Sequence, residues 1–180
     1  MTKSFLQKLE AFKNLERASL LRKIPILGHE KGLWLYKKIL ELQPNSILEL
    51  GTANGYSGII LGYAGASLTT IEINQAIAEE AKNNFKNFNI NAVILIADAV
   101  KEIKKFPDSS FDLIFIDFAK KKYLSVLEES IRIVRKKGYI IADNLSMSGC
   151  QDYKEKVVSD KRLKTRIIKI KDCLSISQKL

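Results

Sequence analysis

Hard oxygen donors stand directly after two strongly apolar stretches of the chain. Residues 111–116, FDLIFI, end at Asp117, and residues 139–142, YIIA, end at Asp143 and Asn144. Such runs are typical of buried strands in a parallel sheet, whose carboxyl ends meet at one edge. Oxygen donors without Cys or His favour Mg²⁺ or another hard divalent ion. We expect these three side chains to hold a cation, although a helix cap and a turn use the same residue types.

A glycine-rich turn follows an earlier apolar stretch. Residues 46–50, SILEL, lead into the letters GTANGYS. Gly51 and Gly55 allow a tight turn and close backbone approach to a ligand, and Ser57 opens an apolar run that indicates a helix start. A strand, loop and helix N-terminus of this kind can hold a small molecule at the carboxyl edge of a sheet. A tight connection without a ligand would use the same glycines.

The next apolar segment, residues 68–72, ends in Glu72. Dinucleotide-binding folds place an acid on the ribose hydroxyls at this position, one strand after the glycine turn. The loop reads GTANG rather than G-x-G-x-x-G, and another acid, Glu49, lies two residues before Gly51. This spacing favours a nucleoside without a pyrophosphate, such as S-adenosylmethionine, and disfavours a nicotinamide oxidoreductase.

Composition sets the class of protein. A chain of 180 residues, 46% hydrophobic and 28% charged, fits one globular domain. It lacks an apolar run near the roughly 20 residues of a membrane helix, and its first residues do not resemble a signal peptide, so we expect a cytoplasmic protein. Cys150 and Cys173 are isolated and indicate packing rather than a disulfide. His29 is the only histidine, which argues against His-based zinc chemistry and a Ser-His-Asp triad.

The formal net charge is +10, from 30 Lys and Arg residues against 20 Asp and Glu residues. Such an excess favours polyanionic partners, of which nucleic acid is the obvious candidate. Scattered lysines on solvated faces would give the same total. Both interpretations stay open on sequence grounds.

These residues must be positioned by a sheet with helices on it. Apolar residues at helical spacing predict an N-terminal helix and a second helix over about 30–42. From residue 46 onward strand-like and helix-like segments alternate, which predicts a mostly parallel α/β sheet with helices on both faces. Two alternating segments, 164–170 and 173–177, predict an antiparallel hairpin at the sheet edge. We expect one domain, with a helical cap over 1–43 and a Rossmann-like core over 44–180.

The predicted helices and strands are as follows. The apolar face of the first helix comprises Phe5, Leu6, Leu9, Phe12 and Leu15. The predicted strands are 47–50, 68–73, 92–97, 111–116 and 139–142, and the helices between and after them are 57–63, 75–88, 100–104, 123–135 and 152–159.

Taken together, the motifs resemble the cation-dependent, S-adenosylmethionine-dependent O-methyltransferases that include catechol and caffeoyl-CoA O-methyltransferases. The resemblance runs from about residue 24 to residue 177 and rests on LELGTANGYS, IEIN, FDLIFIDFAKKKY, GYIIADN and IKDCLSIS. It implies a seven-stranded Rossmann-like class I methyltransferase fold. The IPI segment before the second helix and the basic charge are similar to the bacterial branch that methylates 5-hydroxyuridine in tRNA.

The resemblance implies a role for each matching residue. Gly51, Thr52 and Ser57 would hold the methionine end of the cofactor, Glu72 the ribose, and Asp98 and Ala99 the adenine. With these, Glu49, Gly55 and Asp117 complete the expected cofactor-binding set. Asp117, Asp143 and Asn144 match the metal ligands, and Lys120, with Asp117, would be catalytic. Without the resemblance, Lys120 would be interpreted as part of the solvated run 120–122.

The chemistry expected of such a site is methyl transfer to a hydroxyl next to a second oxygen. A divalent ion would stabilise the substrate oxyanion, and Lys120 could accept the proton if its surroundings favour its neutral form. The chain is shorter than the family pattern, with Ala119 in place of a bulky aromatic. A more open site suits a larger acceptor, such as a nucleotide in a tRNA loop, or a site completed by a partner subunit. The apolar N-terminal helices could form a homodimer interface, and a non-catalytic, RNA-associated protein that binds the cofactor is the alternative.

Overall fold

The computed structural model of the chain describes the backbone of residues 3–180 and the side chains of residues 10–180. Its helices are α1 (Lys3–Leu21), α2 (His29–Leu42), α3 (Tyr56–Gly62), α4 (Gln75–Phe88), α5 (Ala99–Glu102), α6 (Tyr123–Ile133) and α7 (Gln151–Ser159). Its strands are β1 (Ser46–Leu50), β2 (Ser67–Glu72), β3 (Ala92–Ile96), β4 (Phe111–Ile116), β5 (Val134–Ala142), β6 (Leu163–Ile168) and β7 (Leu174–Lys179). Short 3₁₀ turns cover Ile103–Lys105, Lys120–Lys122 and Ser148–Cys150.

The seven strands form one sheet in the order β3-β2-β1-β4-β5-β7-β6. Strands β1 to β5 pair in parallel, whereas β7 pairs antiparallel with both β5 and β6. The predicted mostly parallel sheet with an antiparallel C-terminal hairpin is confirmed. Because the chain runs outward from β1 in both directions, the strand order reverses between β1 and β4, and ligands bind at such a switch point in open α/β sheets.

Helices cover both faces of the sheet, as predicted. Alternate residues of a strand point to opposite faces, so Ile47 packs in a different cluster from Leu48 and Leu50. Helices α2, α3 and α4 pack on the Ile47 face, and helices α5, α6 and α7 pack on the other. Each face therefore has its own apolar core.

The strand register brings the loops after β1, β4 and β5 to one level. Leu50 is opposite Ile116, and Ile116 is opposite Ala142. The hydrogen bonds continue one residue further, since the N–H of Asp117 donates to Leu50 O at 2.9 Å and the N–H of Asp143 donates to Ile116 O at 3.0 Å. The predicted site residues after these strands consequently lie on one edge of the sheet.

The predicted junction between α6 and β5 is wrong, whereas the other predicted bounds lie within two residues of the observed ones. The helix expected over 123–135 ends at Ile133, and Val134 begins β5 directly. Val134 is fully buried and is opposite Phe111 of β4. Pairing of this β-branched residue with the sheet outweighs the helical spacing, which extends through it.

The predicted N-terminal helix is present as α1, but the side chains of Phe5, Leu6 and Leu9 lie outside the described residues. Within it, Phe12 stacks on Tyr56 with ring centroids 4.7 Å apart. Leu20 and Leu21 are exposed at the end of α1, on the helices where a homodimer interface is expected. The oligomeric state and the division at residue 43 stay predictions. Among the described residues, no helix has the length and apolarity needed to cross a membrane.

Candidate active site

A cavity of about 280 Å³ opens at the carboxyl edge of the sheet, beside the glycine-rich loop. Seven of the residues predicted to bind the cofactor line it, namely Gly51, Thr52, Ser57, Glu72, Asp98, Ala99 and Asp117. The remaining described lining residues are Pro25, Ile26, Leu27, Ala53, Tyr56, Ile71, Ile73, Ala97, Phe118, Ala119, Lys120 and Lys122. Glu49 and Gly55, which are also predicted to bind the cofactor, are not among the described residues of this lining.

The two glycines are required by the path of the loop. Gly51 has φ +101° and Gly55 has φ +88°, a region that residues with a Cβ rarely adopt. A Cβ at Gly51 would collide with the carbonyl group of Asp117, and one at Gly55 would lie 2.9 Å from the ring of Phe85. The loop thus packs tightly against the end of β4 and against α4.

Glu72 closes the loop through its carboxylate. The N–H of Ala53 donates to Oε2 and the N–H of Asn74 donates to Oε1, both at 2.9 Å. Each carboxylate oxygen can accept more than one hydrogen bond. Glu72 therefore fixes the loop and can still accept from hydroxyl groups of a ligand in the cavity.

A buried network of hydroxyl groups lies behind the loop and is centred on Glu49. Ser57 Oγ donates to Glu49 Oε1 at 2.6 Å, and Thr70 Oγ1 donates to Oε2 at 2.7 Å. Thr52 Oγ1 lies 2.6 Å from Thr70 Oγ1, and because the Thr70 proton goes to Glu49, Thr52 must be the donor. While Glu49 is ionised, Ser57 and Thr52 thus present only oxygen lone pairs to the cavity, which suits an ammonium group.

Burial raises the pKa of Glu49 to about 8, and the hydrogen bonds from Ser57 and Thr70 only partly offset it. Protonation of Glu49 turns one of its oxygens into a donor. A hydroxyl proton of the network then becomes free to point toward the cavity. The network can therefore accept hydrogen bonds from the ammonium of an amino-acid group or donate one to its carboxylate.

Asp98 stabilises a helix start as well as lining the cavity. Its Oδ1 accepts from the N–H of Val100 at 2.8 Å and so caps α5, while Lys122 Nζ lies 3.1 Å from its Oδ2. The hydrogen bond from Lys122 lowers the pKa of Asp98. Asp98 is at once a helix cap and part of the cavity wall.

Lys120 points into the site rather than into solvent. Its Nζ donates to Asp117 Oδ1 at 2.5 Å and lies 5.6 Å from the ring centroid of Tyr123. Both Lys120 and Asp117 line the cavity, whereas Lys121 is exposed. The structure therefore distinguishes Lys120 from the solvated lysine beside it.

Asp143 is buried beside Asp117. It is 2% exposed, and Lys31 Nζ donates to its Oδ1 at 2.6 Å. Burial raises the pKa of Asp143 to about 6, the charge of Asp117 adds to the effect, and Lys31 opposes it. The two carboxylates are thus close enough to repel each other, as the strand register leads one to expect.

Two polar residues of the site, Lys31 and Asp172, are missed by reasoning from the sequence. Lys31 is 2% exposed on α2 and forms ion pairs with both Asp143 and Asp172. Burial lowers the pKa of Lys31, but the two carboxylates outweigh it and the pKa is raised. A signal was available, because Lys31 stands four and eight residues before the buried Leu35 and Ile39 and thus on the apolar stripe of α2.

The donors at this corner suit a hard divalent cation. No group of three or more His, Cys, Asp or Glu side chains that could hold a metal ion occurs within the described part of the chain. The predicted set has only two such residues, Asp117 and Asp143, with Asn144 as the third. Lys120 and Lys31 each contact one oxygen of a carboxylate, so a second oxygen of each remains. Two carboxylates and an amide oxygen are ligands that Mg²⁺ accepts.

The sheet order, the glycine loop after β1 and the acid at the end of β2 define the Rossmann-like class I methyltransferase fold. The model of the O-methyltransferase family matches residues 6–180. The chain therefore belongs to the O-methyltransferase family, and the resemblance of its motifs to catechol and caffeoyl-CoA O-methyltransferases is confirmed.

Individual relatives agree with this assignment. The chain is 32% identical over 150 residues to catechol O-methyltransferase B of Danio rerio, which covers 77% of this chain and 57% of that protein. It spans about half the length of the curated relatives it matches. A solved structure from Staphylococcus aureus, described as a candidate caffeoyl-CoA O-methyltransferase, has a TM-score of 0.86, 25% identity and 99% coverage of both chains. An O-methyltransferase from Bacillus cereus, solved with SAH, has the same fold, with a TM-score of 0.82, 22% identity and coverage of 97% of this chain and 91% of that chain.

Proposed function

We propose that the protein transfers a methyl group from S-adenosylmethionine to a hydroxyl flanked by a second oxygen, with Mg²⁺ or another hard divalent cation. The observation that carries this proposal is the position of Asp117. It lines the cavity beside the glycine loop and also lies next to the buried Asp143. One carboxylate thereby adjoins both the cofactor cavity and the candidate metal ligands.

The cofactor would occupy the cavity at the switch point. When bound, S-adenosylmethionine supplies the methyl group on a sulfonium. Thr52 and Ser57 would accept from its ammonium group, and Glu72 would accept from the ribose hydroxyls. Asp98 and Ala99, which also line the cavity, would border the adenine. The protein contributes mainly alignment of the reacting atoms in such a transfer.

Asp117, Asp143 and Asn144 would hold the divalent cation. When bound, the cation supplies stabilisation of the ionised substrate hydroxyl. Lys120 would accept the proton of that hydroxyl, since it lies within hydrogen-bonding distance of Asp117 at the cavity wall. An ammonium has no lone pair and cannot accept a proton, so this role requires that Lys120 first give up a proton to solvent and act as the neutral amine.

For the acceptor, two classes have support. Catechol O-methyltransferases among the relatives favour a small phenol. The net charge of +10 and the two lysines that line the cavity, Lys120 and Lys122, favour the hydroxyuridine of a tRNA. Ala119 is exposed at the cavity and narrows it little, which also favours a bulky acceptor. A non-catalytic RNA-associated protein is the alternative that the same charge supports.

The experiment has two stages. Calorimetric titration with S-adenosylmethionine is followed by incubation with labelled cofactor and either a catechol or unmodified tRNA, with Mg²⁺ or with EDTA. We expect cofactor binding and label transfer to one acceptor only in the presence of Mg²⁺. Equal transfer with EDTA would reject the metal, and label in the catechol alone would reject the tRNA version. Salt-sensitive RNA binding without any transfer would favour the non-catalytic alternative.

A further inference from the structure

Four polar side chains form a closed ring of contacts at the proposed metal position, which we name the Lys31 ring. Lys31 Nζ donates to Asp143 Oδ1 at 2.6 Å and is paired with Asp172 Oδ1. Asn144 Nδ2 donates to Asp172 Oδ2. Because Asp143 and Asn144 are adjacent in the chain, these contacts close on themselves.

The chemistry of Asp172 determines which way the Asn144 amide faces. An ionised carboxylate can only accept hydrogen bonds, so the amide must turn its NH₂ group toward Asp172. The carbonyl oxygen of Asn144 then points away from Asp172. Lys31 is buried and pairs with Asp172, which keeps that carboxylate ionised and in place.

We propose that Asp172 is a positioning residue for the divalent cation, because it holds the Asn144 amide with its oxygen, and not its nitrogen, available as a ligand. This inference rests on the proposed metal-dependent function. An amide nitrogen has no lone pair to give to a cation, so an Asn144 side chain in the other orientation does not coordinate. Asp172 itself supplies no ligand in this arrangement.

Asp172→Asn tests the proposal with an isosteric change. An amide at position 172 can donate as well as accept, and it therefore allows Asn144 to turn its oxygen inward, away from the cation. We expect Mn²⁺, titrated into the purified protein and followed by the electron paramagnetic resonance of the free ion, to bind about 10- to 100-fold more weakly. Binding of S-adenosylmethionine is expected to be unchanged and shows that the variant is folded.

The same change in an Asn144→Asp background separates orientation from charge. A carboxylate at position 144 cannot present a nitrogen, and an amide at position 172 can donate to it. Asp172→Asn is therefore expected to weaken Mn²⁺ binding in the wild-type background and to leave it within a few-fold in the Asn144→Asp background. Loss of one negative charge, or of the ion pair with Lys31, would act equally in both.

The outcomes distinguish this inference from the proposed function. If wild-type protein binds Mn²⁺ and Asp172→Asn weakens binding by the same factor in both backgrounds, the orienting role is wrong and the metal site stands. The orienting role is equally wrong if Asp172→Asn leaves Mn²⁺ binding unchanged in the wild-type background. If wild-type protein binds S-adenosylmethionine but no Mn²⁺, the metal-dependent function is wrong, and the inference with it.

Discussion

The cofactor side and the acceptor side of the site are built in different ways. On the cofactor side, hydroxyl groups and backbone N–H groups surround Glu49 and Glu72, within the short span 49–74. On the acceptor side, carboxylates alternate with lysines, as in the pair Asp117–Lys120 and the Lys31 ring. In the Lys31 ring, Lys31 and its two carboxylates come from distant parts of the chain.

Because of this difference, substitutions on the two sides are expected to have different effects. A hydrogen-bonded network within one short segment keeps its geometry even when no ligand binds to one of its oxygen atoms. A cluster of carboxylates repels itself, and each lysine on the acceptor side offsets that repulsion. We expect substitutions on the acceptor side to act on catalysis and cation binding, and substitutions on the cofactor side to act on cofactor affinity and stability.

Asp143→Ala should have the largest effect and would break the comparison if it acted on both sides. Loss of a ligand to the cation is expected to lower methyl transfer by about 10²- to 10³-fold, as for other groups that stabilise charge in a transition state. Cofactor affinity should be unchanged by calorimetry. Asp152→Ala, the same change at an exposed position on α7, is the control. Turnover by Asp143→Ala equal to that of the control would contradict the assignment.

Lys120→Met should lower the turnover rate by about 10²-fold, the lower range for loss of a general base. The loss is expected in kcat, with the KM for the acceptor within a few-fold of wild type, because the substitution removes the proton acceptor of the reaction step. The exposed neighbour gives the matched control, Lys121→Met. A raised KM with kcat unchanged would assign Lys120 a role in binding instead.

Glu72→Gln tests the cofactor side alone. Glutamine has one oxygen that can accept a hydrogen bond, and an NH₂ group replaces the other carboxylate oxygen. One of the two backbone N–H groups, that of Ala53 or that of Asn74, therefore loses its partner. We expect cofactor affinity to fall about tenfold, the loss typical of a hydrogen bond to a charged group. Mn²⁺ affinity should not change, and Glu79→Gln on the exposed face of α4 serves as the control. A parallel loss of Mn²⁺ affinity would show that the two sides are not separate.

Glu49→Gln should have the smallest effect on turnover and should act on stability instead. The pKa of Glu49 is raised from 4.5 to about 8 in the folded protein. Between these values the folded state holds a proton that the unfolded state has lost, so the stability of wild type falls with rising pH by up to about 1.4 kcal/mol per unit. A glutamine does not titrate, so its contribution to stability does not change with pH. In urea unfolding near pH 5, 6.5 and 8, the free energy of unfolding of the variant should therefore increase relative to that of wild type as the pH rises. Parallel pH dependences would place the pKa of Glu49 near its ordinary value.

The fold and the cofactor side can be predicted from the sequence because their signals are local. The predicted boundaries of residues 75–88 and 111–116 are the observed ones, since apolar spacing and flanking turn residues mark both ends. The boundary at Val134 is not predicted, because the chain passes from helix to strand without a glycine or proline. Glu49 lies in the strand and Gly55 in the loop after it, as predicted, but only the structure shows that the described cavity lining includes neither residue.

The acceptor side is predictable only in part. Strand ends indicate Asp117, Asp143 and Asn144 through the general rule on parallel sheets. Lys31 and Asp172 are missed, because whether a lysine is buried depends on counter-charges far away in the sequence. Local spacing could have flagged Lys31 but could not have named its partners.

The distance along the chain between Lys31 and Asp143, 112 residues, bears on the order of biosynthesis. Until the β5 segment has left the ribosome and joined its neighbours, the ammonium of Lys31 has no counter-charge, and burying it alone is too costly. We expect α2 to remain detached from the nascent sheet and to dock as one of the last steps, so that pulsed hydrogen exchange during refolding shows protection of α2 after β4 and β5. A chain interrupted before that step would hold a nearly complete sheet with its acceptor corner still unassembled, and protection of α2 first would rule this order out.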